Sequence, residues 1–191
     1  MSTSSNTAII LIDPYNDFLH PEGKMYPALS ASLAETNTIS HINDLLIAVR
    51  SHKIPVYYGL HQQYKLGSFD GWKHMKALHQ SQKDNKVFEE GSWGAEIFEG
   101  MEPKLENGDV VVSKHWQHEI TNVVIAGLTT NACVEATARY AYDLGYHVTL
   151  LSDATAAFST EQKNAATNII WPLFASKVTT VNKYVASLQR G

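Results

Sequence analysis

The sequence has little of three features that would assign it to particular classes of protein. Its one cysteine, Cys133, cannot form an internal disulfide, which leaves a buried apolar side chain or a reactive thiol as its use. Lys and Arg number 15 against 19 Asp and Glu, so the basic surplus of nucleic-acid-binding proteins is missing. The longest apolar run near the start, 8–12, is too short for a membrane span or a signal peptide. We therefore expect a cytoplasmic protein without a nucleic-acid or membrane partner.

The length and composition are typical of one globular domain. With 191 residues, of which 44% are hydrophobic and 18% charged, the chain can bury one substantial core, and we expect a single domain over 1–191. Short apolar segments rich in β-branched residues recur along the chain and predict buried strands. These segments are 8–12, 54–58, 109–113, 123–126, 147–151 and 177–181.

Amphipathic helical patterns lie between several of these segments. They cover 36–51, 132–144 and 159–171, and Ser159 followed by Gln162 is a typical helix start. Buried strands that alternate with helices predict a sheet whose neighbouring strands are parallel. The predicted fold class is therefore α/β: a mainly parallel sheet of about six strands with helices on both faces, a Rossmann-like three-layer sandwich.

Three reactive side chains, Asp13, Lys114 and Cys133, come at or shortly after the carboxyl ends of predicted strands. Ligands of open α/β sheets bind at that edge. Cys133 would begin a helix, whose positive end favours a thiolate. A carboxylate can take a thiol proton, and an ammonium group keeps that carboxylate ionised. The three residues therefore suggest a nucleophile, a base and an electrostatic partner; the alternative is a structural cysteine, a surface lysine and a loop-capping aspartate.

Three blocks of sequence carry a resemblance to a known family. They are LIDPYNDF at 11–18, GDVVVSK at 108–114 and AGLTTNACVEATA at 126–138. With these blocks in this order at the strand ends, the chain resembles the isochorismatase-like cysteine hydrolase family over nearly its whole length. The resemblance implies a catalytic triad of Cys133, Asp13 and Lys114. Such a triad cleaves a small amide or a related non-peptide C–N bond through a covalent thioester.

The resemblance also implies how the transition state would be stabilised. Family members have a non-proline cis peptide bond that corresponds here to Leu128–Thr129. This bond would direct the main-chain N–H groups of Thr129 and Cys133 at one point, where they would form an oxyanion hole. The substrate would be a small molecule, and no cofactor is implied. The family commonly forms homo-oligomers, dimers or tetramers, for which the aromatic-rich residues 171–174 would suit an interface.

Further residues are candidates for the walls of the pocket. Tyr15, His61 and Trp116 are the predicted substrate-binding residues, since aromatic and imidazole side chains commonly line small-molecule sites. Nicotinamidase relatives bind a metal through an Asp-x-His motif and a further histidine. The corresponding stretch here, Gly59-Leu60-His61, lacks the aspartate, so we expect no metal site.

Two alternatives to an amidase stay open, and the stretch between Lys114 and Cys133, which is shorter than the family usually has, favours only the second of them. One is an isochorismatase-type vinyl ether hydrolase that uses mainly Asp13. The other is a catalytically silent family member that is kept for assembly or binding. Cys133 itself favours acyl transfer over the vinyl ether reaction, because isochorismatases of the family often lack the cysteine.

The short connection also predicts an unusual return between two strands. A helical crossover normally takes a dozen or more residues, so we expect an extended return over 116–122. One face of the sheet would then lack its usual helix. Apolar side chains on that face would be exposed to solvent or to a partner subunit. The candidates for this exposure are Val110, Val112, Val123 and Ile125.

Overall fold

Strands and helices alternate along the chain in the computed structural model, which describes residues 6–111 and 120–189. In order, the elements are β1 (Thr7–Ile12), α1 (Asn16–Leu19), α2 (Tyr26–Glu35), α3 (Thr38–Ser51), β2 (Val56–Gly59), α4 (Ala77–Asp84), β3 (Val110–Val111), β4 (Asn122–Leu128), α5 (Glu135–Asp143), β5 (His147–Ala156), α6 (Thr160–Ala165), β6 (Lys177–Thr179) and α7 (Val181–Leu188). None of the helices in these two ranges is long and apolar enough to cross a membrane.

The six strands form one parallel sheet in the order β3-β2-β1-β4-β5-β6. Strand β1 pairs with β2 on one side and with β4 on the other. The chain therefore builds one half of the sheet outward from β1 and then returns to β4 to build the other half. The predicted α/β fold with a parallel sheet is confirmed.

One face of the sheet is covered by α2, α3 and α7. Helix α3 packs against it through a fully buried stripe, which consists of Ile42, Leu45, Leu46 and Val49. Their spacing places all four on one side of a helix with 3.6 residues per turn. Burying each such side chain stabilises the fold by about 1.5–3 kcal/mol. This stripe is the one that the sequence predicted, and it fixes the orientation of α3.

The opposite face is covered by α5 and by the turns after α6. Val123 and Ile125 lie buried there in one apolar cluster with Ala138 and Ala141 of α5. The predicted exposure of Val123 and Ile125 is therefore wrong. The same cluster contains Val134 of the turn before α5 and Trp171 of the turns after α6, so several elements together bury Val123 and Ile125.

The edge strand β3 agrees with the predicted exposure of apolar side chains, unlike β4. Val110 is 40% exposed at this edge of the sheet. Val112 lies outside the described residues, and so does most of the predicted extended return over 116–122. The conformation of that return therefore stays a prediction.

Two elements near the site differ in length from the sequence prediction. Strands β4 and β5 run further than predicted, to Leu128 and Ala156. The helix predicted over 159–171 begins as expected, because the Ser159 hydroxyl accepts a hydrogen bond from the Gln162 N–H at 3.2 Å. It continues as α6 only to Ala165, and a π-type turn and a 3-10 turn that contains Pro172 replace its second half.

Candidate active site

The candidate site lies where the strand order reverses, between the carboxyl ends of β1 and β4. Asp13 follows β1 directly, and Cys133 lies in a π-type turn, Thr130–Val134, that follows β4. In open α/β sheets, the crevice at such a switch point is the usual ligand site. The two residues are far apart in sequence, and the pairing of β1 with β4 brings them together.

Gly127 allows the two strand ends to approach closely. Its φ is +112°, and a Cβ atom at this position would overlap the main chain of Ile12. Ile12 is the register partner of Gly127 in the β1–β4 pair. Only glycine adopts this φ without strain and leaves the space for Ile12. The loop after β4 therefore begins within reach of Asp13.

Hydrogen bonds hold the Asp13 carboxylate in place. Its Oδ1 atom accepts a hydrogen bond from the main-chain N–H of His61, and the main-chain N–H of Asp13 donates to the Gly59 carbonyl at 3.0 Å. The Tyr15 hydroxyl in turn donates to the His61 carbonyl at 3.0 Å. The loop after β2 thus orients the acidic group through its backbone, and Tyr15 fixes that loop.

Asp13 and Cys133 line the same cavity, and their side chains interact closely enough to shift each other's pKa. Burial raises the pKa of Asp13 to about 6, although the thiol and His61 act in the opposite direction. Burial and the negative charge of Asp13 raise the pKa of the Cys133 thiol to about 12. The main-chain N–H groups of this turn lower the pKa of the thiol, as expected of a helix start, but burial and the Asp13 carboxylate outweigh them. The net shift favours the protonated thiol.

The main chain around Cys133 affects the charge state of the sulfur. The peptide bond Leu128–Thr129 is cis, as the family resemblance implies. The main-chain N–H groups of Thr129 and Cys133 favour a negative charge on the sulfur, because both lower the pKa of the thiol. The turn is anchored to β5 by a buried hydrogen bond of 2.8 Å between the hydroxyls of Thr130 and Thr155. The two N–H groups are the ones that the sequence analysis assigned to an oxyanion hole.

Two adjoining cavities, of about 340 and 350 Å³, are lined in part by Cys133. His61 borders both of them, in keeping with its predicted place in the pocket. Tyr15 does not reach either cavity: it is 2% exposed, and its ring packs on Phe88 with ring centroids 4.7 Å apart. The structure thus places Tyr15 beneath the site, as a support for the His61 loop, where it cannot touch a substrate.

Two of the predicted site residues, Lys114 and Trp116, lie outside the described residues. No group of three or more His, Cys, Asp or Glu side chains that could hold a metal ion occurs within 6–111 and 120–189.

Sequence reasoning missed several residues that shape the site. His79 and Gln82 of α4 border the 350 Å³ cavity together with Phe18 and Phe158. Helix α4 has no apolar stripe, because Gln82 is its one buried residue, and its sequence pattern therefore resembles that of a loop. The signal in the sequence that could have indicated these residues is the composition of 61–88, which has many His, Gln and aromatic side chains for a solvent-exposed loop.

Two further aspartates, Asp17 and Asp153, have structural roles. Asp17 accepts hydrogen bonds from the main-chain N–H groups of Lys24, at 3.1 Å, and of Phe88, at 2.7 Å. Asp153 accepts one from the main-chain N–H of Val181 at 2.8 Å. Both carboxylates thus satisfy main-chain donors at element ends, which is a structural role.

Comparison with known proteins identifies relatives along most of the chain. The Isochorismatase domain model matches residues 7–182. YecD of Escherichia coli O157:H7, an uncharacterized isochorismatase family protein, is 32% identical over 117 residues. That match covers 61% of this chain and 56% of YecD, so it spans just over half of this relative. Ureidoacrylate amidohydrolase RutB of Agrobacterium fabrum is 26% identical over 94% of this chain and 89% of its own.

Solved structures have the same fold. A cysteine hydrolase from Pseudomonas syringae pv. phaseolicola matches with a TM-score of 0.76 and 24% identity, over 97% of this chain and 93% of its own. N-carbamoylsarcosine amidase from Thermoplasma acidophilum matches with a TM-score of 0.64 and 20% identity, over 93% and 97%. At these identities the likeness shows the fold alone. Together with the domain match over 7–182, it establishes that this chain is a member of the isochorismatase family of hydrolases.

Proposed function

We propose that this protein hydrolyses a small non-peptide amide, with Cys133 as the nucleophile and Asp13 as the general base. The observation that carries the proposal is that Asp13 and Cys133 line one cavity at the carboxyl ends of β1 and β4, close enough for each to shift the pKa of the other. The names of RutB, a ureidoacrylate amidohydrolase, and of N-carbamoylsarcosine amidase describe cleavage of amide-type C–N bonds. These names support the same reaction class for this chain.

The first half of the proposed reaction forms a thioester. The Cys133 sulfur attacks the carbonyl carbon of the amide while its proton moves to the Asp13 carboxylate. The carbonyl oxygen becomes an oxyanion on the carbon that now carries the sulfur. We assign the N–H groups of Thr129 and Cys133, which favour negative charge at the sulfur, to stabilising this oxyanion. Asp13 then gives the proton to the leaving nitrogen, and the C–N bond breaks.

The second half hydrolyses the thioester. A water molecule attacks the thioester carbon and passes a proton to Asp13, and the same two N–H groups stabilise the second oxyanion. The C–S bond then breaks, the proton returns to the Cys133 sulfur, and a carboxylic acid leaves. We assign Lys114 to holding Asp13 ionised through its positive charge, as the family resemblance implies.

Ammonia release from a panel of small primary amides tests the proposal. We expect turnover by the unmodified protein and a loss of at least about 1000-fold in Cys133→Ala, because no other group can form the thioester. Unchanged circular dichroism and thermal midpoint in Cys133→Ala serve as the folding control. Turnover within tenfold of the unmodified protein would contradict the role of Cys133.

The alternatives give different results in the same assay. Hydrolysis of isochorismate that survives in Cys133→Ala would indicate a vinyl ether hydrolase that uses Asp13. An inert thiol, which iodoacetamide does not modify near neutral pH, together with no turnover of any amide, would indicate a catalytically silent family member.

A further inference from the structure

A separate cavity of about 270 Å³ lies beside the reaction site and has an aromatic wall. The rings of Tyr64, Phe69 and Trp72 form a row, with centroids 6.0 Å apart for the first pair and 5.9 Å for the second. The planes of Phe69 and Trp72 differ by only 11°. We call this cavity, defined by Tyr64, Phe69 and Trp72, the aromatic compartment. Since an apolar cavity of about 150 Å³ accepts benzene, the compartment can take a substituted ring.

The aromatic compartment adjoins the cavity that contains Cys133. His61, His79 and Gln82 border both of them. The His79 ring also lies against Trp72, with ring centroids 4.5 Å apart, so α4 connects the two walls. A molecule with its amide at the thiol can therefore extend past these three side chains into the aromatic compartment.

The lining of the aromatic compartment is polar in places but carries no carboxylate, lysine or arginine among the described residues. Gln82 is the notable polar group, because it is only 8% exposed. None of the hydrogen bonds found within 6–111 and 120–189 uses its side-chain amide, and the amide is not among the fully buried polar atoms that lack a partner. Its polar atoms are therefore reachable from the cavities, so Gln82 is available to a polar atom of a ligand at the boundary between the two cavities.

We propose that the aromatic compartment binds an uncharged planar ring of the substrate, so that the preferred substrates are amides with an aryl group joined to the carbonyl by a short linker. A planar ring gains stacked or edge contacts with Phe69 and Trp72. A charged group would lose its hydration there without an ionic partner. The proposal rests on the amidase function for its chemistry, but the binding that it describes needs no turnover.

Calorimetry on the Cys133→Ala variant measures this binding without hydrolysis. The ligands are phenyl-substituted alkanamides of increasing linker length, each compared with the same alkanamide without the ring. At one linker length, the ring should raise the affinity at least about tenfold. Adding Trp72→Ala should remove most of this gain. The absence of a gain at every linker length, or a gain that survives Trp72→Ala, would overturn the proposal.

Two control variants separate loss of the wall from loss of the fold. Leu66→Ala should keep the gain, because Leu66 belongs to the same segment but is 95% exposed and lies outside the aromatic compartment. Trp72→Phe should retain most of it, because a ring remains. Ammonia release by the unmodified protein tests the amidase function separately. Hydrolysis without a ring-dependent gain contradicts only this inference, and a gain without any hydrolysis contradicts only the amidase function.

Discussion

Asp13 is buried, and in the proposed reaction it accepts a proton near neutral pH. Burial raises its pKa to about 6, while the Cys133 thiol and the His61 N–H stabilise the ionised form. A carboxylate with this pKa is ionised at pH 7 and is a much stronger base than an ordinary aspartate. Desolvation raises the pKa of Asp13 and the interactions with Cys133 and His61 lower it, and the balance of the two suits the proposed role as a base.

The first prediction at this scale concerns the pH dependence of turnover. Protonated Asp13 cannot take the thiol proton, so kcat/KM should fall tenfold per pH unit below about pH 6 and level off above about pH 7. Initial rates on an active amide across buffers of constant ionic strength measure this profile. A rate that keeps rising to about pH 9 would mean that a free thiol, rather than Asp13, controls the reaction.

The second prediction concerns stability. Because the pKa of Asp13 is raised from 3.8 to about 6 on folding, ionisation of Asp13 costs free energy of unfolding, and the cost grows as the pH rises between these values. Asp13→Asn removes the charge, so it should abolish turnover yet raise the free energy of unfolding at pH 7.5 by about 1–3 kcal/mol. Below about pH 4 the two proteins should be equally stable. Urea denaturation at both pH values checks this, and a less stable Asp13→Asn at pH 7.5 would refute it.

At the scale of elements, the site depends on how the turn after β4 is tied to β5. The Thr130 and Thr155 hydroxyls are fully buried and bond to each other at 2.8 Å. The Thr155 carbonyl also accepts a hydrogen bond from the Thr38 hydroxyl at 3.1 Å, which ties α3 to the same strand. Side chains from three elements therefore fix the turn that carries Cys133.

A double-mutant cycle tests this attachment. Thr130→Val leaves the Thr155 hydroxyl without its partner, so it should lower the free energy of unfolding by about 1–3 kcal/mol and reduce kcat/KM. Thr155→Val should cost a similar amount of stability. The double variant should be clearly more stable than the sum of the two single losses predicts, because it leaves no buried hydroxyl unpaired. Additive losses by chemical denaturation would contradict a direct coupling.

At the scale of the whole molecule, the surface around residues 171–174 is the predicted site of association between chains. Trp171 is fully buried, so the predicted interface over 171–174 cannot include that residue. Its neighbour Leu173 is 77% exposed, and Phe174 contacts the Tyr142 ring and the Arg139 guanidinium group, at 6.3 and 4.6 Å from its ring centroid. An apolar surface therefore joins the outer side of α5 to the turn before β6.

We predict that this surface contributes to a dimer or tetramer. Light scattering at micromolar concentration should give a mass of at least two chains, and Leu173→Glu should shift it towards one chain, because a charge would be buried in the interface. Leu105→Glu is the matched control, since Leu105 is equally exposed and precedes the strand at the other edge of the sheet. A monomer in the unmodified protein would refute the prediction.

Much of this protein could be predicted from the sequence by itself. The β-branched runs determine the strands, the apolar stripe determines α3, and Ser159 determines the start of α6, because each is a local pattern that reports one element. The blocks around Asp13 and Cys133 identified the reactive residues and the edge of the sheet at which they meet. Helices α2, α4 and α7 were not predicted, and α4 in particular buries one residue, Gln82, and shows no periodic apolar stripe.

Only the tertiary structure decided the electrostatics of the site and its walls. The helix start suggested a thiolate at Cys133, but the pKa of a thiol depends on everything that surrounds it in space. Burial and the Asp13 carboxylate, 120 positions away in sequence, raise that pKa and make the thiol a proton donor to the base. Likewise, the sequence predicted Tyr15 as a substrate-binding residue, whereas packing buries it beneath the pocket, where it supports the His61 loop. Sequence patterns fix which residues are present at a strand end, whereas distances between elements decide what those residues do.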